Sequence, residues 1–168
     1  IYKGELIMAL KSDRSTLQTD ISFFMNEAAT RGGVVTINTA GSGASMDDGT
    51  ALVTYVANPS GKIPVGLLVN DMVNIDLTRQ HLNQHKDEVQ KGGKVTLLQK
   101  GWVVTSNLEG TDPNGGDPAY LGHSGNISAS DLGMDENNPA HLVVGRFLSD
   151  VDEDGYAKVF IDLPNTNL

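Results

Sequence analysis

Glycine-containing turns divide this sequence into short apolar segments, and this limits what it can fold into. Nineteen of the 168 residues are glycine, and only 5% are aromatic. Frequent glycine favours short strands joined by turns over long helices, and a core with few aromatic rings must be built from Val, Leu and Ile. A chain of this length fits one domain that buries about 70% of its unfolded surface. The pattern predicts a mainly β domain.

The clearest strand signal lies near the C-terminal end of the sequence, in residues 156–163. Because successive side chains of a strand point to opposite faces, alternate residues share a face. One face is predicted to be core and the other to meet solvent or a partner. The core set is Ala157, Val159, Ile161 and Leu163, and the outer set is Tyr156, Lys158, Phe160 and Asp162.

Further strands are predicted wherever β-branched residues alternate between turn signals. Between two of them lies Lys100–Gly101, which fits either a tight hairpin or a bulge in one strand. Trp102, the only tryptophan, is predicted to anchor the core rather than to offer a stacking surface. The predicted strands are Val34–Thr39, Thr50–Ala57, Lys62–Ile75, Val95–Gln99, Trp102–Thr105, Ala119–Leu121, Ile127–Ala129 and His141–Ser149.

One short α-helix is predicted over residues 76–91, with Asp76 as its N-cap and Gly92–Gly93 as its end. Its apolar stripe is thin, so most of its surface should meet solvent or a partner. Residues 20–30 fit a helix or a strand. Residues 1–19 are interpreted as an N-terminal arm or a short helix capped by Ser12, and residues 20–168 as the β-rich domain.

The charge balance excludes some classes of partner. There are 12 Lys and Arg against 21 Asp and Glu, which gives a net charge of −9. Binding to nucleic acid through phosphates needs a basic surface, so no nucleic-acid partner is predicted. The apolar run Leu6–Leu10 is too short to span a membrane, and no membrane partner is predicted. The absence of cysteine excludes disulfides and thiolate metal sites.

Two patterns resemble metal sites but lack a ligand. Asp150–Gly155 matches the start of a calcium loop, yet Ile161 stands where that loop needs a bidentate Glu. An acidic hairpin turn with Gly155 at positive φ is the preferred interpretation. His81 and His85 are four residues apart, but Leu82 stands where a zinc-protease helix needs Glu. No metal or other cofactor is predicted.

No set of residues forms a catalytic pattern. Gly122–Gly125 is one residue short of a nucleophile elbow and is predicted to be a turn between strands. The carboxylates of Asp131, Asp135 and Glu136 lie in a predicted loop, as is common in acidic proteins. The chain is therefore predicted not to be an enzyme. A virion-associated hydrolase is a third possible function, but it needs a pocket of acids with shifted pKa values, and the sequence offers no coherent set.

Segments between Arg31 and Leu163 resemble a known family. The run Ile63–Leu97, the segment Gly116–Leu121 and the spaced motif Val-Gly-Arg (144–146) followed by Asp-Gly-Tyr (154–156) are similar to segments of tailed-bacteriophage capsid decoration, or cement, proteins. The resemblance implies a small β-barrel or β-sandwich that self-associates, most often as a trimer. It would bind the outer surface of the virion capsid, after assembly in the host cytoplasm, and clamp neighbouring subunits of the major capsid protein.

The resemblance also implies an interface with the capsid or with other subunits. An alternative is a virion-surface adhesin or glycan-binding module that uses loops 107–118 and 130–140, although these loops offer little aromatic surface. The predicted interface residues are Tyr2, Lys3, Phe23, Phe24, Arg79, His81 and His85.

Overall fold

The computed structural model describes residues 9–39, 41, 50–58, 61–71, 75–76, 81–82, 88–130 and 143–163. The chain is mainly β, as predicted, and the one helical element in these ranges is a 3-10 turn at His123–Gly125. The strands are β1 (Leu10–Asp20), β2 (Phe24–Met25), β3 (Ala29–Thr30), β4 (Val34–Thr39), β5 (Leu52–Thr54), β6 (Pro64–Asp71), β7 (Ile75–Asp76), β8 (His81–Leu82), β9 (Glu88–Val89), β10 (Val95–Thr105), β11 (Leu108–Glu109), β12 (Pro118–Leu121), β13 (Ile127–Ser128), β14 (Val143–Phe147) and β15 (Ala157–Asp162).

Eleven strands form one open sheet around β10. Strand β1 pairs along one edge of β10, while β15 and then β6 pair along the other. The hydrogen-bonded path runs β11-β13-β12-β14-β15-β10-β6-β4-β5-β2. This path ends at β11 and β2, and the barrel or sandwich description stays a prediction.

Part of the sheet is buried on both faces. In β4, β6 and β10, two adjacent residues are buried in different core clusters, so the strand has apolar contacts on each side. This explains why these segments are apolar runs rather than alternating ones. Each such leucine contributes about 1.5–3 kcal/mol when fully buried. Val34, Leu67 and Leu98 belong to the first core cluster, which includes Phe147. Their neighbours Val35, Leu68 and Leu97 belong to the second core cluster, which includes Met25.

The predicted helix over residues 76–91 is wrong wherever the structure describes it. His81–Leu82 is strand β8, which pairs with β7, and Glu88–Val89 is strand β9, which pairs with β3. Val89 is fully buried in the second core cluster, so burial and long-range pairing override the local helix signals. The predicted helix stop is a turn instead, with Gly92 at φ 81°.

Strand β1 occupies most of the segment interpreted as an arm or a short helix. Its residues Leu10–Asp20 pair with β10 from Thr105 to Leu97, so the short helix from Ser12 is wrong. Among the described residues β1 pairs with β10 alone, and its other edge is unpaired. This explains its polar composition, since an edge strand with few apolar side chains discourages aggregation.

A bulged strand, rather than a hairpin, passes through Lys100–Gly101. Leu98 and Val103 are five residues apart, yet both are buried in the first core cluster. Strict alternation would put them on opposite faces, so the alternation slips once between them. Gly101 has φ 145°, and a Cβ there would overlap the backbone oxygen of Ser15 in β1.

Candidate interaction surface

One set of side chains points away from both core clusters on β15, β14 and the part of β10 that follows Lys100–Gly101. The central row pairs Ser15, Trp102, Phe160, Arg146 and Pro118 across five strands. None of these side chains belongs to either described core cluster. We call this surface the outer face, and it consists of Lys100, Trp102, Val104, Arg146, Lys158, Phe160 and Asp162.

Trp102 lies on the outer face, and its prediction as a core anchor is wrong. Its neighbour Val103 is fully buried, whereas Trp102 is partly exposed. The Nζ atom of Lys158 lies 4.0 Å from the centroid of the Trp102 ring, a cation–π contact. The alternation of side chains along β10 shifts by one residue near Gly101, and this shift decides which face Trp102 occupies. The apolar character of the segment therefore does not predict the face of Trp102.

The outer face carries more positive than negative charge, although the chain is acidic. Lys100 Nζ lies 3.9 Å from Asp162 Oδ1, and both side chains are well exposed, so this ion pair contributes little stability. Arg146 is exposed and makes no hydrogen bond or ion pair with any described residue. Three cations therefore share this surface with one carboxylate.

The acidic segment between β14 and β15 is a hairpin turn, as predicted. Asp152 Oδ1 accepts the backbone N–H of Asp154 at 3.0 Å and that of Tyr156 at 2.9 Å. Gly155 has φ 86°, a conformation that glycine adopts without strain. The carboxylate of Asp152 therefore holds the turn together through Oδ1.

The remaining carboxylates of this turn have different environments. Asp150 Oδ1 accepts the backbone N–H of Gly115 at 2.8 Å, which ties the turn to the loop before β12. Glu153 and Asp154 are exposed, and their carboxylates make no hydrogen bond or ion pair with the described residues. We call the segment Asp150–Asp154 the acidic turn.

The described residues contain no group of three or more His, Cys, Asp or Glu placed to hold a metal ion. His81 lies in strand β8, so the four-residue helical spacing to His85 does not apply, and His85 lies outside the described residues. In the same part of the chain, no helix is long and apolar enough to cross a membrane.

The structure gives physical reasons for the motif Val-Gly-Arg followed by Asp-Gly-Tyr. A Cβ at Gly145 would overlap the carbonyl oxygen of Phe160, so a side chain there would push β14 from β15. Gly155 supplies the positive φ of the turn. Tyr156 is buried rather than on the outer face, and Lys11 Nζ lies 4.5 Å from its ring centroid.

Phe23 and Phe24, predicted as interface residues, lie at the end of the sheet near β2. Phe23 packs against the second core cluster. The Phe24 N–H donates to the carbonyl of Ala51 at 2.9 Å, and Lys94 Nζ lies 5.7 Å from its ring centroid. Both residues are partly buried. The other predicted interface residues, Tyr2, Lys3, Arg79 and His85, lie outside the described part of the chain.

The segment Gly122–Gly125 is a turn between β12 and β13, as predicted, and not a nucleophile elbow. Glu109 fixes this turn by accepting the backbone N–H of His123 at 2.6 Å and by contacting its Nδ1 at 2.5 Å. Ser124 adopts φ 55° at the centre of the turn, and its N–H donates to the carbonyl of Val56 at 2.8 Å.

Tyr55 joins this turn to the connection between β3 and β4, a role that no sequence pattern indicated. Its hydroxyl donates to the carbonyl of Thr30 at 2.6 Å and accepts the N–H of Gly33 at 3.1 Å. Its ring lies where a Cβ on Gly125 would stand. Burial raises the pKa of the Tyr55 hydroxyl well above its ordinary value, and the nearby Glu27 carboxylate acts in the same direction.

The fold and this surface define a β-sheet protein that presents a charged, partly aromatic face and an acidic turn. The chain belongs to the family of phage structural cement proteins, whose model matches residues 9–162. No match was found among curated proteins. The resemblance to capsid decoration proteins is thereby confirmed, and membership supports a structural, virion-associated role in stabilising the capsid.

Proposed function

We propose that this protein binds the outer surface of a phage capsid and stabilises the contacts between neighbouring subunits of the major capsid protein. The observation that carries this proposal is the family match over residues 9–162, which spans every described strand. The proposed state of the protein is a homo-oligomer, most often a trimer in such proteins, and the protein has no catalytic role. Its net charge of −9 disfavours contact with nucleic acid inside the head.

Repetition explains how modest contacts could stabilise a whole shell. Each copy needs only a small interface, because many symmetric copies that bridge subunits convert weak single contacts into strong total binding. The edge of β1 that no described strand pairs with suits the addition of a strand, which gains main-chain hydrogen bonds without a deep pocket. Residues 1–8, the rest of the predicted arm, belong to this proposal. So do the predicted interface residues, which are Tyr2, Lys3, Phe23, Phe24, Arg79, His81 and His85.

Heads assembled without this protein provide the test. Purified protein added to them should bind from outside and raise the temperature and the osmotic shock at which they release DNA. Limited proteolysis of intact heads should cleave the bound protein before the major capsid protein if it lies on the outer surface. Heads that bind no added protein, or that bind it without any gain in resistance, would contradict the proposal.

The partly exposed Trp102 is the one observation that favours the alternative, a glycan-binding module. Sugar sites usually contain an aromatic ring whose face is open for stacking. Here the ammonium of Lys158 already lies 4.0 Å from the ring centroid and covers one face. We therefore place glycan binding second, and a glycan array probed with the purified protein distinguishes the two functions.

A further inference from the structure

The β14–β15 hairpin carries two surfaces of opposite charge. The outer face presents Arg146, which is exposed, and Lys158, which is partly exposed. The acidic turn, at the tip of the same hairpin, presents Glu153 and Asp154, which are both exposed. The connection between the two strands therefore has a charge opposite to that of the strand face beside it.

These charges do not neutralise each other within one chain. Arg146 makes no ion pair or hydrogen bond in the described part of the structure, and neither carboxylate of Glu153 and Asp154 does so. Lys158 contacts the Trp102 ring rather than an acid. On this hairpin the cations Arg146 and Lys158 lie on the face of the sheet, and the exposed carboxylates of Glu153 and Asp154 lie at the tip, so a second molecule can bring them together.

We propose that the acidic turn of one copy docks on the outer face of a second copy, a contact that rests on the self-association proposed above. The carboxylates of Glu153 and Asp154 pair with Arg146 and Lys158 of the neighbour, and Trp102 and Phe160 supply the apolar surface beneath them. An arginine–carboxylate pair suits such a contact because the planar guanidinium binds both carboxylate oxygens.

This contact joins two different surfaces, so it is heterologous. A heterologous contact closes into a ring when its rotation allows, whereas a two-fold dimer needs the same patch on both subunits. A head-to-tail contact is thus compatible with a trimer. Because the paired charges lie at the surface, salt should weaken the association by screening.

Charge reversal on each side of the contact tests it. The face variant carries Arg146→Glu and Lys158→Glu, and the turn variant carries Glu153→Lys and Asp154→Lys. Size-exclusion chromatography with light scattering gives the mass of each purified protein at low and high salt. Lys62→Glu, at an exposed position outside the face, is the matched control for a change of charge. Circular dichroism establishes folding, and Arg146→Glu alone replaces the face variant if Lys158→Glu unfolds the protein.

We expect the wild type and Lys62→Glu to form the same oligomer at low salt and to dissociate at high salt. The face and turn variants should each associate at least tenfold more weakly, and a mixture of the two should assemble again because each supplies the surface that the other lacks. A wild type that is monomeric at low salt, variants that still associate, or a mixture that stays dissociated would overturn this contact. A monomeric protein that still protects heads would overturn this contact alone and leave the proposed function standing.

Discussion

Lys158 Nζ lies 4.0 Å from the ring centroid of Trp102, across the pair formed by β10 and β15. The register places Lys158 opposite Val104 and Phe160 opposite Trp102, so the lysine reaches the indole diagonally. Diagonal neighbours on one face of a sheet lie within reach of long side chains. This contact shows which side of β10 faces outward, and it fixes Trp102 at the centre of the outer face.

Replacing Lys158 with Gln should lower stability slightly and expose the indole. The loss of a cation–π contact at a partly exposed site costs about 0.5–1 kcal/mol. Trp102 is the only tryptophan, so intrinsic fluorescence reports on this contact directly and should change in wavelength or intensity. Lys158→Arg, which keeps the cation, is the control. Identical spectra for Lys158→Gln and the wild type would show that the contact is absent in solution.

Replacing Gly145 with Ala should destabilise the protein because the new Cβ would overlap the carbonyl oxygen of Phe160. Overpacking of this kind costs about 1–3 kcal/mol in the free energy of unfolding. Chemical denaturation measures the loss. Gly115→Ala is the control, since a Cβ there meets its nearest atom at 3.5 Å, an ordinary contact. Equal stability of the two variants would contradict the close approach of β14 and β15.

Replacing Tyr55 with Phe should lower the free energy of unfolding by about 1–3 kcal/mol, because the N–H of Gly33 and the carbonyl of Thr30 lose their hydroxyl partner. Tyr120→Phe is the control, since its hydroxyl makes no hydrogen bond with the described residues. Denaturant titration at neutral pH compares the two. A loss in Tyr120→Phe as large as that in Tyr55→Phe would contradict the role of the Tyr55 hydroxyl.

The same hydroxyl predicts a loss of stability at alkaline pH. Burial raises the pKa of folded Tyr55 above the ordinary value of 10.0, so the unfolded chain releases this proton first. The stabilisation is complete below pH 10.0 and declines as the pH rises above that value. Tyr55→Phe should show a shallower decline than the wild type between neutral and alkaline pH. Parallel curves for the two proteins would contradict a raised pKa.

Replacing Asp152 with Ala should destabilise the acidic turn, because two backbone N–H groups lose the carboxylate that accepts them. Each such hydrogen bond contributes about 0.5–1.5 kcal/mol, and more when the acceptor is charged. Asp112→Ala is the control, since its exposed carboxylate makes no hydrogen bond or ion pair with the described residues and lies outside the proposed contact between copies. Thermal unfolding measures both. If calcium ions raised the Tm of the wild type but not of Asp152→Ala, the turn would be an ion site instead.

The local sequence pattern predicted strands in which β-branched residues cluster or in which apolar and polar residues alternate. Val34–Thr39 is the strand that its β-branched residues predicted, and the alternation in β15 placed Val159 and Ile161 in the core. These predictions succeeded because burial on one face, or on both, leaves a direct trace in the sequence.

Features that depend on distant pairing were not predictable from local pattern. Val89 pairs with Ala29, 60 positions earlier in the chain, and this pairing replaced the predicted helix. The slip near Gly101 sets the side on which Trp102 lies, so the sequence indicates the outer face only through Phe160 and its neighbours on β15. Nor does the sequence show that Tyr55 joins the β12–β13 turn to the connection between β3 and β4.

The most direct test of the central claim is the temperature at which phage heads release DNA, measured with and without this protein. Heads that lack it should open at a lower temperature, and purified wild-type protein should restore the original value as its binding sites fill. Addition of Lys62→Glu should restore it equally, because this exposed residue lies outside the outer face. Heads that open at the same temperature with the protein bound or absent would contradict a cementing role.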